Sequence, residues 1–272
     1  MRSPGSGTDG RCGDANARPT GASVGGAAKA GDLRVGACQT PEILGDIGSA
    51  LGCIEGFARQ ADEHGVDLLV FPECFVQGYL VDPAHIRDHA FDLRSAAFAS
   101  VLRRLQPITQ TLVVGVIEQQ AGRYFNTAAV VTHGRLVGVY RKTHLVPGES
   151  LFAPGDTYPT FTNRGVTFGI NICYDTQFAD AAASVAAQGA HLLLVPAQNM
   201  MRRDTAQRWK DEHHRMRAER ARETGMWLVS ADVTGERADR IGYGPTSVIN
   251  PRGEVVAQVP LMTTGMVVAD IP

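Results

Sequence analysis

Three side chains near the ends of predicted strands, Glu73, Lys142 and Cys173, are of the types that together support nucleophilic chemistry. Cys173 closes the apolar run VTFGINICYD (166–175), read as a strand, just before Tyr174, Asp175 and a predicted helix. A thiol beside a helix N-terminus and nearby cations has its pKa lowered and becomes a nucleophile. Standing alone, such a cysteine reads as an inert core thiol, as Cys38, Cys53 and Cys74 do. Glu73 ends DLLVFPE (67–73), where Leu68, Leu69, Val70 and Phe71 would desolvate a carboxylate. Desolvation raises a carboxyl pKa toward the range of a general base. Lys142 follows the strand-like VGVYR and precedes Thr143 and His144.

Hydrophobic patterning shows what must position these groups. LRVGACQ (33–39) reads as a strand, followed by a helix whose apolar face is Ala50, Ile54, Phe57, Ala58 and Ala61. Gly65 stands where a glycine would end that helix. Alternation continues with a helix over 91–106, strands over 111–120, NTAAVVT and RLVGVYRK, a helix over 176–188 and strand HLLLVPA (191–197). One long charged helix (205–224), strand MWLVSAD (226–232) and a hairpin around Pro251-Arg252-Gly253 complete the pattern. The segments ADEHGVDLLVFPE (61–73) and VAAQGAHLLLVPA (185–197) repeat one order: helix end, Gly, leucine-rich strand, Pro. Two similar α/β halves with mixed sheets and outer helices follow. Ligands in such folds sit beyond the carboxyl ends of strands.

The strings FPE (71–73), YRKTHL (140–145) and NICYD (171–175), in that order and each at a strand end, resemble the nitrilase (carbon–nitrogen hydrolase) superfamily. The resemblance runs from Leu33 to Pro272. It implies an αββα four-layer sandwich and a homodimer or higher homo-oligomer paired through helices. It also implies a catalytic set of Glu73, Lys142 and Cys173, with Glu149 of VPGESLFAPG as the second glutamate. A backbone N–H near Tyr174 joins Lys142 in holding the oxyanion, and Asn199 belongs to the same substrate side. The chemistry implied is attack of Cys173 on a small amide, an acyl-thioester, and release of ammonia or an amine without cofactor or metal. True nitrilases carry Trp-Glu after the nucleophile; Tyr174-Asp175 stands here and favours an amide over a nitrile. Gln177-Phe178-Ala179-Asp180 lacks the arginine that several amidase branches carry at this point. A carbamoyl (ureido) substrate would need cations for its carboxylate, for which Arg202 and Arg203 are candidates.

Composition bounds the remaining classes. A net charge of −2 over 272 residues gives no electrostatic footprint for nucleic acid. No apolar run approaches the roughly 20 residues of a membrane span. Five cysteines without paired spacing argue against a disulfide framework and fit the cytoplasm. His213-His214 and His85/His89 read as surface histidines rather than metal ligands, and neither HExxH nor GxSxG occurs. Residues 1–31 are rich in Gly, Ala and Ser and read as a flexible extension before a single domain, 32–272. The GxGxxG spacing of Gly5, Gly7 and Gly10 falls in that extension, without the strand and helix a dinucleotide fingerprint requires.

Overall fold

The computed structural model describes residues 32–272, so the expected extension and its glycine triplet lie outside the described residues. The first half runs β1 (Leu33–Pro41), α1 (Ile47–Glu63), β2 (Leu68–Val70), α2 (Pro83–His89), α3 (Ala96–Leu105), β3 (Thr111–Gln120), β4 (Arg123–Thr132) and β5 (Arg135–Arg141). The second begins with β6 (Thr160–Asn163), β7 (Val166–Ile170), a 3-10 turn (Cys173–Gln177), α4 (Ala179–Ala186) and β8 (Leu192–Pro196). It continues through β9 (Met201–Arg202), α5 (Arg203–Trp209), α6 (Glu212–Thr224), β10 (Trp227–Ala231), β11 (Val233–Arg237) and β12 (Arg240–Tyr243). Strands β13 (Ser247–Ile249), β14 (Val255–Gln258) and β15 (Gly265–Ile271) end the chain.

The repeat seen in the sequence becomes a repeat of topology. In one sheet β1, β2 and β3 are parallel, and β4 and β5 follow antiparallel. In the other, β7, β8 and β10 are parallel, and β13 and β14 follow antiparallel. Strand β15 pairs antiparallel with β1, and β11 takes over at the end of β1.

Side-chain alternation along the strands then builds the layers. Leu68 and Val70 of β2, with Leu192 and Leu194 of β8, enter one core between the sheets. Leu69 faces outward onto α1 and α3, through Phe57, Ala61, Phe98 and Val101. Leu193 and Val195 face outward onto α4 and α6, through Ala182, Val185, Ala218 and Ala221. The order helix, sheet, sheet, helix is the expected αββα sandwich. Burying strands on both faces accounts for their unbroken apolar runs.

Three elements differ from expectation. The helix expected over 91–106 starts only at Ala96, because Ser95 caps it (its Oγ accepts from Phe98 N at 3.2 Å) and Phe91 bridges to Glu118 instead. The strand expected over 166–175 stops at Ile170. The long helix over 205–224 is two helices, broken at Lys210 and Asp211. Helix α5 is tied toward β12, where Tyr243 Oη donates to Gln207 at 2.9 Å, whereas α6 buries Ala218 and Ala221 on the second sheet. A straight helix could not serve both surfaces.

Candidate active site

The fold brings Glu73, Lys142, Glu149 and Cys173 together from segments far apart in the chain. Glu73 lies three residues beyond β2, past Pro72, which has no N–H to extend the ladder. Its backbone N–H reaches Ala197 O at 3.3 Å, and Gln198 N donates to Glu73 Oε2 at 3.1 Å. Position 197 is the counterpart of 73 in the sequence repeat, so the two halves meet at their equivalent strand ends.

That approach depends on Gly115 of β3. A Cβ there would collide with Cys74 N, Pro72 O and Glu73 C, all of them backbone. Cys74 itself sits at φ 47°, a left-handed conformation unusual for a residue with a Cβ. Gly115→Ala is therefore expected to lose about 1–3 kcal/mol of stability through overpacking. By moving Glu73 it should also lower turnover about 10- to 100-fold. Thermal unfolding and steady-state rates check both halves of this expectation.

Around Glu73 the buried groups form one network. Lys142 Nζ donates to Glu73 Oε1 at 2.8 Å and to Glu149 Oε1 at 3.1 Å. Asn126 Nδ2 donates to the same two oxygens, at 2.6 and 3.1 Å. Tyr79 Oη and Val146 N complete the donors to Glu149, at 2.9 and 2.8 Å. Glu73, Lys142 and Glu149 are each only 1% exposed. One ammonium is thus shared by two buried carboxylates. Burial pushes the Glu73 carboxyl above its usual range, with Lys142 opposing and Glu149 adding to the rise. Burial works against the charge on Lys142, but Glu73, Cys173 and Glu149 outweigh it and hold the ammonium well protonated.

Cys173 opens the 3-10 turn rather than ending a strand, at φ 45°. Asp175 secures that turn. Its buried carboxylate accepts from Ile172 N at 2.8 Å, Tyr140 Oη at 2.8 Å, Thr143 Oγ1 at 3.0 Å and His144 N at 2.8 Å. These donors bracket Lys142, so one carboxylate couples the end of β5 to the turn bearing Cys173. The thiol does not behave as a lowered-pKa nucleophile. Burial, followed by the charge of Glu73, pushes it well above the ordinary thiol value, against Lys142. A five-residue turn brings too little dipole to reverse that. The thiol accordingly needs a base.

Cys173 and Tyr174 line a cavity of about 330 Å³. Asn199 lines it too, and its Oδ1 lies 3.8 Å from Cys173 Sγ. Asp232 sets that orientation: it accepts from Asn199 N at 2.9 Å and from Asn199 Nδ2, leaving the amide oxygen to face the thiol. Arg217 Nη2 lies 3.4 Å from the same carboxylate.

Sequence reasoning missed Asn126, Tyr79, Asp232 and Arg217. Asp232 follows the apolar MWLVSA just as Glu73 follows LLVFP, a signal that was available. Asn126 was legible only as a polar residue entering an apolar strand. Arg202 and Arg203 are exposed and pair with Asp239 (3.5 Å) and Glu236 (2.6 Å); neither lines the cavity of Cys173. Of the four histidines read as surface residues, one is buried and His89, His213 and His214 are half-buried. His85 is buried with Nε2 2.8 Å from Gly78 O, and His213 lies on the cavity wall. Cys53 is disulfide-bonded, which departs from an all-thiol reading, while Cys38, Cys74 and Cys173 are free. Among the described residues no group of three or more His, Cys, Asp or Glu could hold a metal ion, and no helix is long and apolar enough to cross a membrane.

The carbon–nitrogen hydrolase family model matches residues 34–272. An (R)-stereoselective amidase from Pseudomonas sp. is 31% identical over 192 residues, 70% of this chain and 68% of that protein. An omega-amidase from Homo sapiens is 29% identical over 215 residues, 74% of this chain and 75% of that protein. Among solved structures, an amidase from Nesterenkonia sp. superposes with a TM-score of 0.79 at 26% identity, covering 91% of this chain and 93% of that one. A variant of that amidase carries acrylamide added to its active-site cysteine, and another is solved in complex with butyramide.

Proposed function

The chain belongs to the carbon–nitrogen hydrolase family, and on that premise we propose that it is an amidase acting through an acyl-thioester on Cys173. The observation that carries this reading is the convergence itself. Glu73 and Lys142 touch at 2.8 Å, both buried, and both act electrostatically on a cysteine that opens onto a cavity.

In the first half-reaction Glu73 takes the Cys173 thiol proton as sulfur adds to the amide carbonyl carbon. Lys142 and the N–H groups at the start of the 3-10 turn, at Tyr174, stabilise the oxyanion, each donor worth about 10²–10³ in rate. The protonated Glu73 passes its proton to the nitrogen, the C–N bond breaks, ammonia or an amine leaves, and the acyl group stays on sulfur. Water then adds to the thioester with its proton going to Glu73, and collapse returns that proton to sulfur and frees the carboxylic acid. A raised Glu73 pKa suits a group that must both accept and donate. Glu149, fixed by Tyr79, Asn126 and Val146, serves to hold Lys142 in place.

Asn199 favours an amide over a nitrile. Its buried amide oxygen, on the cavity wall 3.8 Å from the sulfur, can take an N–H from a carboxamide, and a nitrile has none to give. Incubation with short amides should release ammonia and leave a transient acyl mass on Cys173. Absence of both across a broad amide panel overturns the proposal. The same proposal includes a homodimer or larger assembly, checked by light scattering at working concentration.

A further inference from the structure

The walls of the Cys173 cavity say what acyl group it suits, granted the amidase reading above. Tyr174, Val146, Pro147, Met201, Trp209 and Met216 supply apolar and aromatic surface on several sides. Two methionines give a wall that adapts to shape, and Trp209 gives a rigid face for a ring or chain. The volume, about 330 Å³, lies in the ~300–1,000 Å³ range of sites that enclose a sizeable organic ligand.

The charges around this space work against an anion. Arg217 and His213 are the basic side chains on its wall among the described residues. Arg217 is 2% exposed and already engaged: it donates to Ser230 Oγ at 3.0 Å and Pro245 O at 2.6 Å and faces Asp232 at 3.4 Å. A substrate carboxylate would compete with Asp232 for that one guanidinium. Burial, with Arg217 and His214 beside it, pulls His213 down to about 3, so it is neutral at physiological pH. Asn199 presents an oxygen, and of the charges that reach the thiol Glu73 and Asp232 are negative, while the cation Lys142 is already shared by Glu73 and Glu149. Arg202 and Arg203 are spent on Asp239 and Glu236 outside the cavity.

We propose that the site takes uncharged carboxamides with an apolar acyl group larger than a four-carbon chain, and turns away amides that carry a second, ionised carboxylate. The test is ammonia release at neutral pH from propionamide, hexanamide, phenylacetamide and succinamate, with intact-mass detection of acyl-Cys173. Hexanamide and phenylacetamide should exceed propionamide in kcat/KM by about tenfold, consistent with added apolar contact. Succinamate should fall at least about 100-fold below hexanamide. Trp209→Ala should lower kcat/KM for phenylacetamide more than for propionamide, chiefly through KM. Succinamate matching hexanamide, or propionamide leading the series, overturns the substrate class while the amidase reading stands. No ammonia and no acyl adduct from any of the four overturns both.

Discussion

A Cys173→Ala protein is expected to fold with unchanged secondary structure and to lose turnover by about 10⁴-fold or more. The loss follows from the proposed route, which has no step that begins without sulfur attack. The fold should survive because Cys173 lines a cavity and its turn is held elsewhere. Asp175 anchors that turn through Ile172, Tyr140, Thr143 and His144, by hydrogen bonds that do not involve the sulfur. Circular dichroism, thermal unfolding and ammonia release decide the matter. Substantial turnover in a well-folded variant removes Cys173 as nucleophile.

Lys142→Met should be the most damaging change to the fold and to activity together. It leaves Glu73 and Glu149 buried around one space with their shared cation gone. Breaking a buried ion pair from one side costs about 3–5 kcal/mol, because the orphaned charge stays buried. The oxyanion also loses a donor, a further factor of about 10²–10³ in rate. Glu73→Gln provides the contrast. Its amide oxygen still accepts from Lys142, and it removes a carboxyl whose folded-state pKa is raised by burial. Such a group favours the fold below the ordinary carboxylate range and loses that contribution as pH rises through its raised value. The Gln variant sheds that cost but sets its NH2 against Gln198 N, where the carboxylate accepted, so its stability should stay within about 1–3 kcal/mol of the parent at neutral pH, yet it should be about 10²–10⁴ slower. The parent's rate should fall on the acid side at a pH above the ordinary carboxylate range, and that limb should vanish in the Gln variant. A stable, active Lys142→Met protein would contradict the shared-cation account.

The fold was largely legible in the sequence because its strands are buried on both faces. Unbroken runs such as LLVF and LLLV, punctuated by Gly65, Gly189 and the two prolines 72 and 196, leave few alternatives to parallel βα units. The repeat 61–73 and 185–197 carried the two-half architecture. Boundaries were less legible. The helix over 91–106 hid a side-chain cap at Ser95, and the helix over 205–224 hid a break that periodicity alone does not record.

At the site, the sequence by itself determined which groups were present: a glutamate, a lysine and a cysteine near three strand ends, with Glu149 in the loop beyond. Local order sufficed because each such residue follows an apolar run that must be buried. Only the tertiary structure decided how they are charged and what surrounds them. Cys173 was expected to be a lowered-pKa thiol at a helix end. It is instead a thiol whose ionised form is disfavoured, first by burial and then by Glu73 and Asp232 against Lys142, because those carboxylates arrive from strand ends about 100 and 59 positions away in sequence and burial removes the water that would screen them. Asn126, Asp232 and Arg217 joined the site for the same reason. Their roles come from contacts between elements far apart in sequence, which one strand's pattern does not contain.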